Sequence, residues 1–173
     1  MGTEPERKFL LTNDSWKKDV TDKIRITQRY LSLDPTVRLR TTDKGEAFIT
    51  IKGRAPEGTI DTPEFEYQIP MSDAEEMMKL CLPGEISKTR HHVPFGGKLW
   101  EVDVFEGNNA GLVVAEIELA YGTESFEKPA WAGEEVTHDK RYKNARLLLH
   151  PYSGWGDAVT KTPKSGKGPT PKL

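Results

Sequence analysis

The chain of 173 residues has a single cysteine, Cys81. A disulfide framework is excluded, and a zinc site of cysteines would need other ligands. No apolar run approaches the roughly 20 residues of a membrane helix. The first residues carry acids where a secretory signal carries apolar ones, so no export signal is read and a reduced, cytoplasmic setting is expected. There is no excess of base: 25 Lys and Arg face 27 Asp and Glu, for a net charge of −2. Bulk attraction to nucleic acid is therefore not expected, and neither a nucleic acid nor a membrane is a predicted partner. P-loop and GxGxxG patterns are absent, so a nucleotide would not be held in those ways.

What is present is charge, at 30% of residues, and a set of short alternating segments. Eight candidate strands stand out: 4–10, 25–31, 37–40, 47–52, 65–69, 88–93, 99–105 and 112–119. Asp43-Lys44-Gly45 and Gly107-Asn108-Asn109 read as hairpin turns, and Gly96-Gly97 as another turn. Two helices are expected. Ser72 followed by Glu75 has the spacing of a capping box opening Asp73–Leu82, which Pro83-Gly84 stops. Thr137–Leu149 is the second, with Val136, Tyr142, Ala145 and Leu149 at roughly helical spacing. A short helical turn at Glu124–Glu127 is a weaker expectation. Residues 1–150 read as one domain. Residues 151–173 turn to Pro, Gly, Ser, Thr and Lys and read as a solvated tail, since such a segment buries too little apolar area to offset its ordering entropy.

Side chains two apart share a strand face. Glu4, Glu6 and Lys8 share one, as do Arg38 and Arg40, Glu64 and Glu66, Lys88 and Arg90, Glu101 and Asp103, and Glu116 and Glu118. In four of these segments the residue between is apolar: Leu39, Phe65, Val102 and Ile117. Two arrangements fit. One is an open antiparallel sheet, wet on its charged side. The other is an eight-stranded barrel with the charges inside and helices covering its apolar exterior. In the second case crowded carboxylates would call for a hard cation, Mg²⁺, Mn²⁺ or Ca²⁺, and the bases for a multiply charged oxyanion. Together they suit a metal-bound polyphosphate. His91 and His92 are adjacent and so face opposite ways, which rules out a metal pair. Trp16, Trp100, Trp131 and Trp155 are read as packing residues rather than a stacking platform, and Cys81 as a core residue.

Glu4-Pro5-Glu6-Arg7-Lys8 resembles the ExExK signature of the CYTH superfamily, the triphosphate tunnel metalloenzymes. Further family motifs follow in order: Gln28-Arg29-Tyr30-Leu31, Arg38-Leu39-Arg40, Ile51-Lys52, Glu64-Phe65-Glu66, Lys88-Thr89-Arg90, Glu101-Val102-Asp103-Val104-Phe105 and Glu116-Ile117-Glu118. Residues 133–144 resemble the C-terminal pattern of short bacterial members. The resemblance spans about residues 4–149. It implies an α+β, mainly β fold: a closed eight-stranded antiparallel barrel with helices packed outside. It implies metal ligands Glu4, Glu6, Asp103, Glu116 and Glu118. Phosphate would be held by Lys8, Arg38, Arg40, Lys52 and Arg90, with Lys140 as the C-terminal base. Tyr30 and Lys88 resemble the catalytic dyad of inorganic tripolyphosphatases. The expected activity is Mg²⁺-dependent (or Mn²⁺-dependent) hydrolysis of inorganic triphosphate by a monomer or homodimer. An adenylate cyclase, a thiamine-triphosphatase and a non-catalytic polyphosphate-binding module are the alternatives. Pro5 departs from the signature, where Ile is common; lacking a backbone donor, it should mark an edge or a strand start.

Overall fold

A computed structural model describes residues 2–3, 5–54, 56–58 and 62–155. The charged and apolar alternation resolves into ten strands in one sheet, antiparallel in every pair. In chain order they are β1 (Gly2–Thr3), β2 (Glu6–Leu11), β3 (Asp22–Leu33), β4 (Thr36–Thr42), β5 (Ala47–Lys52), β6 (Pro63–Ile69), β7 (Ile86–Phe95), β8 (Lys98–Phe105), β9 (Val113–Glu118) and β10 (Ala132–Glu135). The hydrogen-bonded order is β1-β6-β5-β4-β3-β7-β8-β9-β2-β10.

This corrects the expected closed eight-stranded barrel. Among the described residues the order has two ends, β1 and β10, and is not closed by strand pairing. The reasons are local. Pro5 breaks the N-terminal strand, so that β1 pairs with β6 while β2 pairs with β9. Covalent chain through residues 4 and 5 thus joins β1, at one end of the order, to β2, next to the other end. The extra strand β10 adds to the other edge of β2. Its sequence, Ala-Gly-Glu-Glu, has no strand pattern. Gly133 permits the approach: a Cβ there would lie 2.8 Å from Thr12 Cγ2 and 3.2 Å from the Leu10 carbonyl oxygen.

The turns follow the sequence reading. Gly96 and Gly97 link β7 to β8 with φ of 60° and 78°, a geometry that Gly adopts without steric cost. Gly45 closes the β4–β5 turn by donating its N–H to the Thr42 carbonyl at 3.1 Å.

The helices differ more. Helix α1 is Met71–Met78, starting two residues and ending four residues earlier than expected. Ser72 does not cap it: Pro70 is the N-cap, and its carbonyl accepts from Asp73 and Ala74. Cys81 lies beyond its end, half-buried, with its thiol donating to the Met77 carbonyl at 3.6 Å. No helix forms at Glu124–Glu127. The expected helix Thr137–Leu149 is a 3-10 turn, Lys140–Tyr142, and a short α2, Asn144–Leu149. Lys143 is extended between them, and the Asp139 side chain caps the turn by accepting from the Arg141 N–H. The described structure continues past His150 to Trp155, which is 6% exposed. The remaining tail, 156–173, lies outside the described residues, as does Glu4.

Two apolar clusters sit on opposite faces of the sheet. The first joins Phe9, Trp16, Val93, Trp100, Val102, Ala115, Ile117 and Trp131 on the outer face of β2, β7, β8 and β9. The second joins Tyr30, Ile86, Phe105, Leu112 and Val114 to Val136, Tyr142, Leu147 and Trp155. Register places Ile86 and Phe105 on the face that carries Lys88, and Val114 opposite Asp103. The C-terminal segment therefore packs against the inner face and does not cover the exterior as expected. All four tryptophans are buried in these clusters.

Candidate functional site

The inward face of β2 to β9 lines a cavity of about 840 Å³. The charged residues two apart in sequence are the ones that face it. Glu6, Lys8, Arg38, Arg40, Lys52, Arg90, Glu116, Glu118 and Lys140 all line the cavity, as does Tyr30. Of the residues expected in the site, Lys88 and Asp103 are placed deeper, each wholly buried.

Asp103 is held by bases. Arg90 Nε donates to one carboxylate oxygen at 2.8 Å and an Arg90 terminal nitrogen to the other at 2.9 Å. Lys88 Nζ forms an ion pair with Asp103 at 2.7 Å, off the line of a hydrogen bond, and stands 5.3 Å from the Phe105 ring centre. Burial alone would raise the Asp103 carboxyl, but Arg90 and Lys88 outweigh it and hold it well below the usual range. Burial, with Arg90 beside it, brings Lys88 down to about 8 against the pull of Asp103 and Glu116. Tyr30 is also buried, which raises its hydroxyl, and its charged neighbours are Arg38, Lys52 and Arg40. Register sets Lys88 opposite Ile26, whereas Tyr30 lies beyond the last β3–β7 pair, Gln28 with Ile86. No hydrogen bond joins Tyr30 to Lys88 among the described residues.

The carboxylates on β2 and β9 are crowded. Glu6 faces Glu118 and Lys8 faces Glu116 in register. Burial pushes Glu116 up, and the charges of Glu6 and Asp103 add to it. Its ion pairs are long, 3.6 Å to Arg90 and 3.8 Å to Lys8. Burial also disfavours the Glu6 charge, but Lys52, Lys8, Arg90 and Lys88 bring its pKa to about 2. Crowded acids of this kind suit a hard cation. No three ligating side chains converge ready-made on one point among the described residues.

The opposite wall, β4 to β6, is basic with resident acids. Arg38, Thr50 and Glu66 form one row across the three strands, and Lys52 and Glu64 another. Lys52 pairs with Glu64 at 3.1 Å. Arg38 is 7% exposed. The buried Nε atoms of Arg38 and Arg40 have no acceptor. Desolvation, with Arg38 and Arg90 nearby, lowers Arg40 to about 10.

Sequence reasoning missed part of the lining. Lys143 and Arg146 face the cavity, as does Glu101, which the strand alternation sets on the charged face without a role; Lys143 is lowered by partial burial and by Lys8 and Lys52. The helical spacing of 137–149 hid Lys143, because the chain there is extended. His91 packs its ring on Trp16 at 5.1 Å, while His92 turns to Glu101 on the other face.

A family model described as the CYTH domain matches residues 2–152. An inorganic triphosphatase of Acetivibrio thermocellus is 41% identical over 159 residues, covering 90% of this chain and 99% of the relative. One from Nitrosomonas europaea is 36% identical, covering 85% and 97%. The crystal structure of an inorganic triphosphatase superposes with a TM-score of 0.61 at 34% identity, covering 86% of this chain and 96% of that one.

Proposed function

The chain belongs to the CYTH domain family, and from that premise we propose that it is an enzyme hydrolysing inorganic triphosphate to pyrophosphate and phosphate. The observation that carries the reading is the pair of guanidiniums, Arg38 and Arg40, whose buried Nε donors lack acceptors at the wall of a cavity of about 840 Å³. A buried donor without a partner costs about 1–3 kcal/mol, and a phosphate oxygen supplies the missing acceptor. Both relatives at above 35% identity carry the same activity in their names.

In this reading Lys8, Arg38, Arg40, Lys52, Arg90 and Lys140 hold the phosphates, and we add Lys143 from its place on the cavity wall. Glu6, Glu116 and Glu118, with Glu4 from the same signature, would hold a divalent cation. Mg²⁺ is our choice, and Mn²⁺ suits the same hard oxygens. A cation held by these carboxylates would supply charge neutralisation to the phosphates and so favour attack by water. Asp103, expected among the metal ligands, is assigned instead to fixing Arg90, since that guanidinium engages both its oxygens. Lys88, with a pKa of about 8, accepts the proton as water attacks the terminal phosphorus and pyrophosphate departs. Tyr30, on the cavity wall, orients that water. The enzyme works in the cytoplasm, with no membrane or nucleic-acid partner. No helix among the described residues is long and apolar enough to cross a membrane.

Tyr30 and His138 are the only rings on the described lining. Among the described residues no row of rings offers a nucleobase or thiazole a stacking platform, which favours an inorganic chain over the cyclase and thiamine-triphosphatase readings. Phosphate release from tripolyphosphate, ATP and thiamine triphosphate, with and without Mg²⁺ and with ATP products checked for cyclic AMP, tests this. Metal-dependent release from tripolyphosphate is expected. A cyclic product would promote the cyclase, and tight binding with no turnover would leave a polyphosphate-binding module.

A further inference from the structure

Glu66 was not among the residues assigned to substrate or metal, yet its placement is specific. It lines the cavity from β6, in the row shared by Arg38 and Thr50. The Thr50 hydroxyl, on a residue 1% exposed, donates to Glu66 Oε1 at 2.9 Å. Arg38 in turn donates to Thr50 Oγ1 at 3.4 Å. Held this way, Glu66 Oε1 stands 3.9 Å from Arg38 and 4.0 Å from Arg40. Those distances are within Coulomb reach and outside hydrogen-bond reach. The carboxylate offsets part of the guanidinium charge, while the Nε donors keep their capacity to bond an oxyanion.

We propose that Glu66 is a tethered anion that weakens the grip of Arg38 and Arg40 on phosphate and so speeds the release of pyrophosphate. This rests on the reading of the cavity as a phosphate site. A cavity lined by so many bases would hold its products as firmly as its substrate, and slow release limits turnover in many enzymes. A fixed carboxylate beside the two arginines lowers the affinity for any phosphate group placed there. A role limited to orienting the arginines makes the opposite prediction, because its loss would weaken binding.

The test is Glu66→Gln, which keeps the shape and removes the charge, with Glu66→Ala as the second variant. The Kd of pyrophosphate is read by calorimetry, and KM and kcat by tripolyphosphate turnover. In both variants pyrophosphate is expected to bind about fivefold more tightly, the scale of one charge some 4 Å away in well-solvated surroundings. KM and kcat should both fall. Weaker or unchanged pyrophosphate binding, or a raised KM, overturns the inference. Pyrophosphate binding needs no turnover, so the two ideas fail separately. A wild type that binds pyrophosphate and never cleaves tripolyphosphate refutes the hydrolase reading alone.

Discussion

A lysine with no exposed surface keeps its charge only through its neighbours, and Lys88 shows how finely that can be set. Burial and Arg90 push its proton off while Asp103 and Glu116 hold it on, leaving a pKa of about 8. If it accepts the proton of the attacking water, it must be neutral when the reaction begins. The rate should then rise with pH up to about 8 and level off above. Lys88→Met should lose most of the activity together with that limb of the pH–rate profile. A variant that keeps the limb would refute the assignment. Glu6 poses the opposite case: its surrounding bases keep it ionised down to about pH 2. Glu6→Gln should abolish metal-dependent turnover with thermal unfolding near that of the wild type, and retained activity would remove Glu6 from the metal site. These residues were legible in the sequence because same-face spacing survives folding unchanged. The exact neighbours were not. That Asp103 answers to Arg90 depends on β7 pairing with β8 in a register that sets Arg90 opposite Asp103.

At the scale of the element, the C-terminal segment has two roles that its sequence disguised. Apolar spacing announced a helix, and spacing alone does not say which surface the apolar side chains will meet. Tyr142, Leu147 and Trp155 meet the inner face beside Tyr30 and Phe105, and the same stretch offers Lys140, Lys143 and Arg146 to the cavity. The Lys8 ammonium donates to the Tyr142 carbonyl at 3.3 Å, and Asn144 donates to the buried Gln28 at 3.2 Å, so the C-terminal segment is tied to β2 and β3. Trp155 stacks edge-on with Tyr142 at 5.2 Å between centroids. Trp155→Ala should cost about 3 kcal/mol and lower Tm by roughly 10 °C. It should also raise KM, because the lysines lose their support. An unchanged KM would show that the packing and the site are independent. Gly133→Ala should likewise loosen β10 from β2, given the 2.8 Å approach of Thr12. Calorimetric unfolding would register this as a lowered Tm.

Over the whole molecule, a net charge of −2 conceals a separation of charge from apolar matter. The sequence foretold a mainly antiparallel fold with its charges on one face of each strand. It left open whether that face was wet or enclosed, because alternation is identical in both cases. It also missed the ends of the sheet, since β10 carries no strand pattern and Pro5 divides what reads as one strand. With so many bases around the cavity, affinity for a multiply charged anion should fall as salt rises. KM for tripolyphosphate should increase severalfold between low and high ionic strength, while an uncharged binding mode would leave it flat.

The divided N-terminal segment also has a consequence in time. Residues 2–11 are synthesised ahead of every strand they pair with: β1 waits for β6, and β2 waits for β9 and β10. Glu6 and Lys8 find their neighbours only after most of the chain has been made. Such distant pairing is slow to form. The chamber is therefore completed late, and a nascent N-terminal fragment that lacks β9 also lacks the facing wall of Glu6 and Lys8.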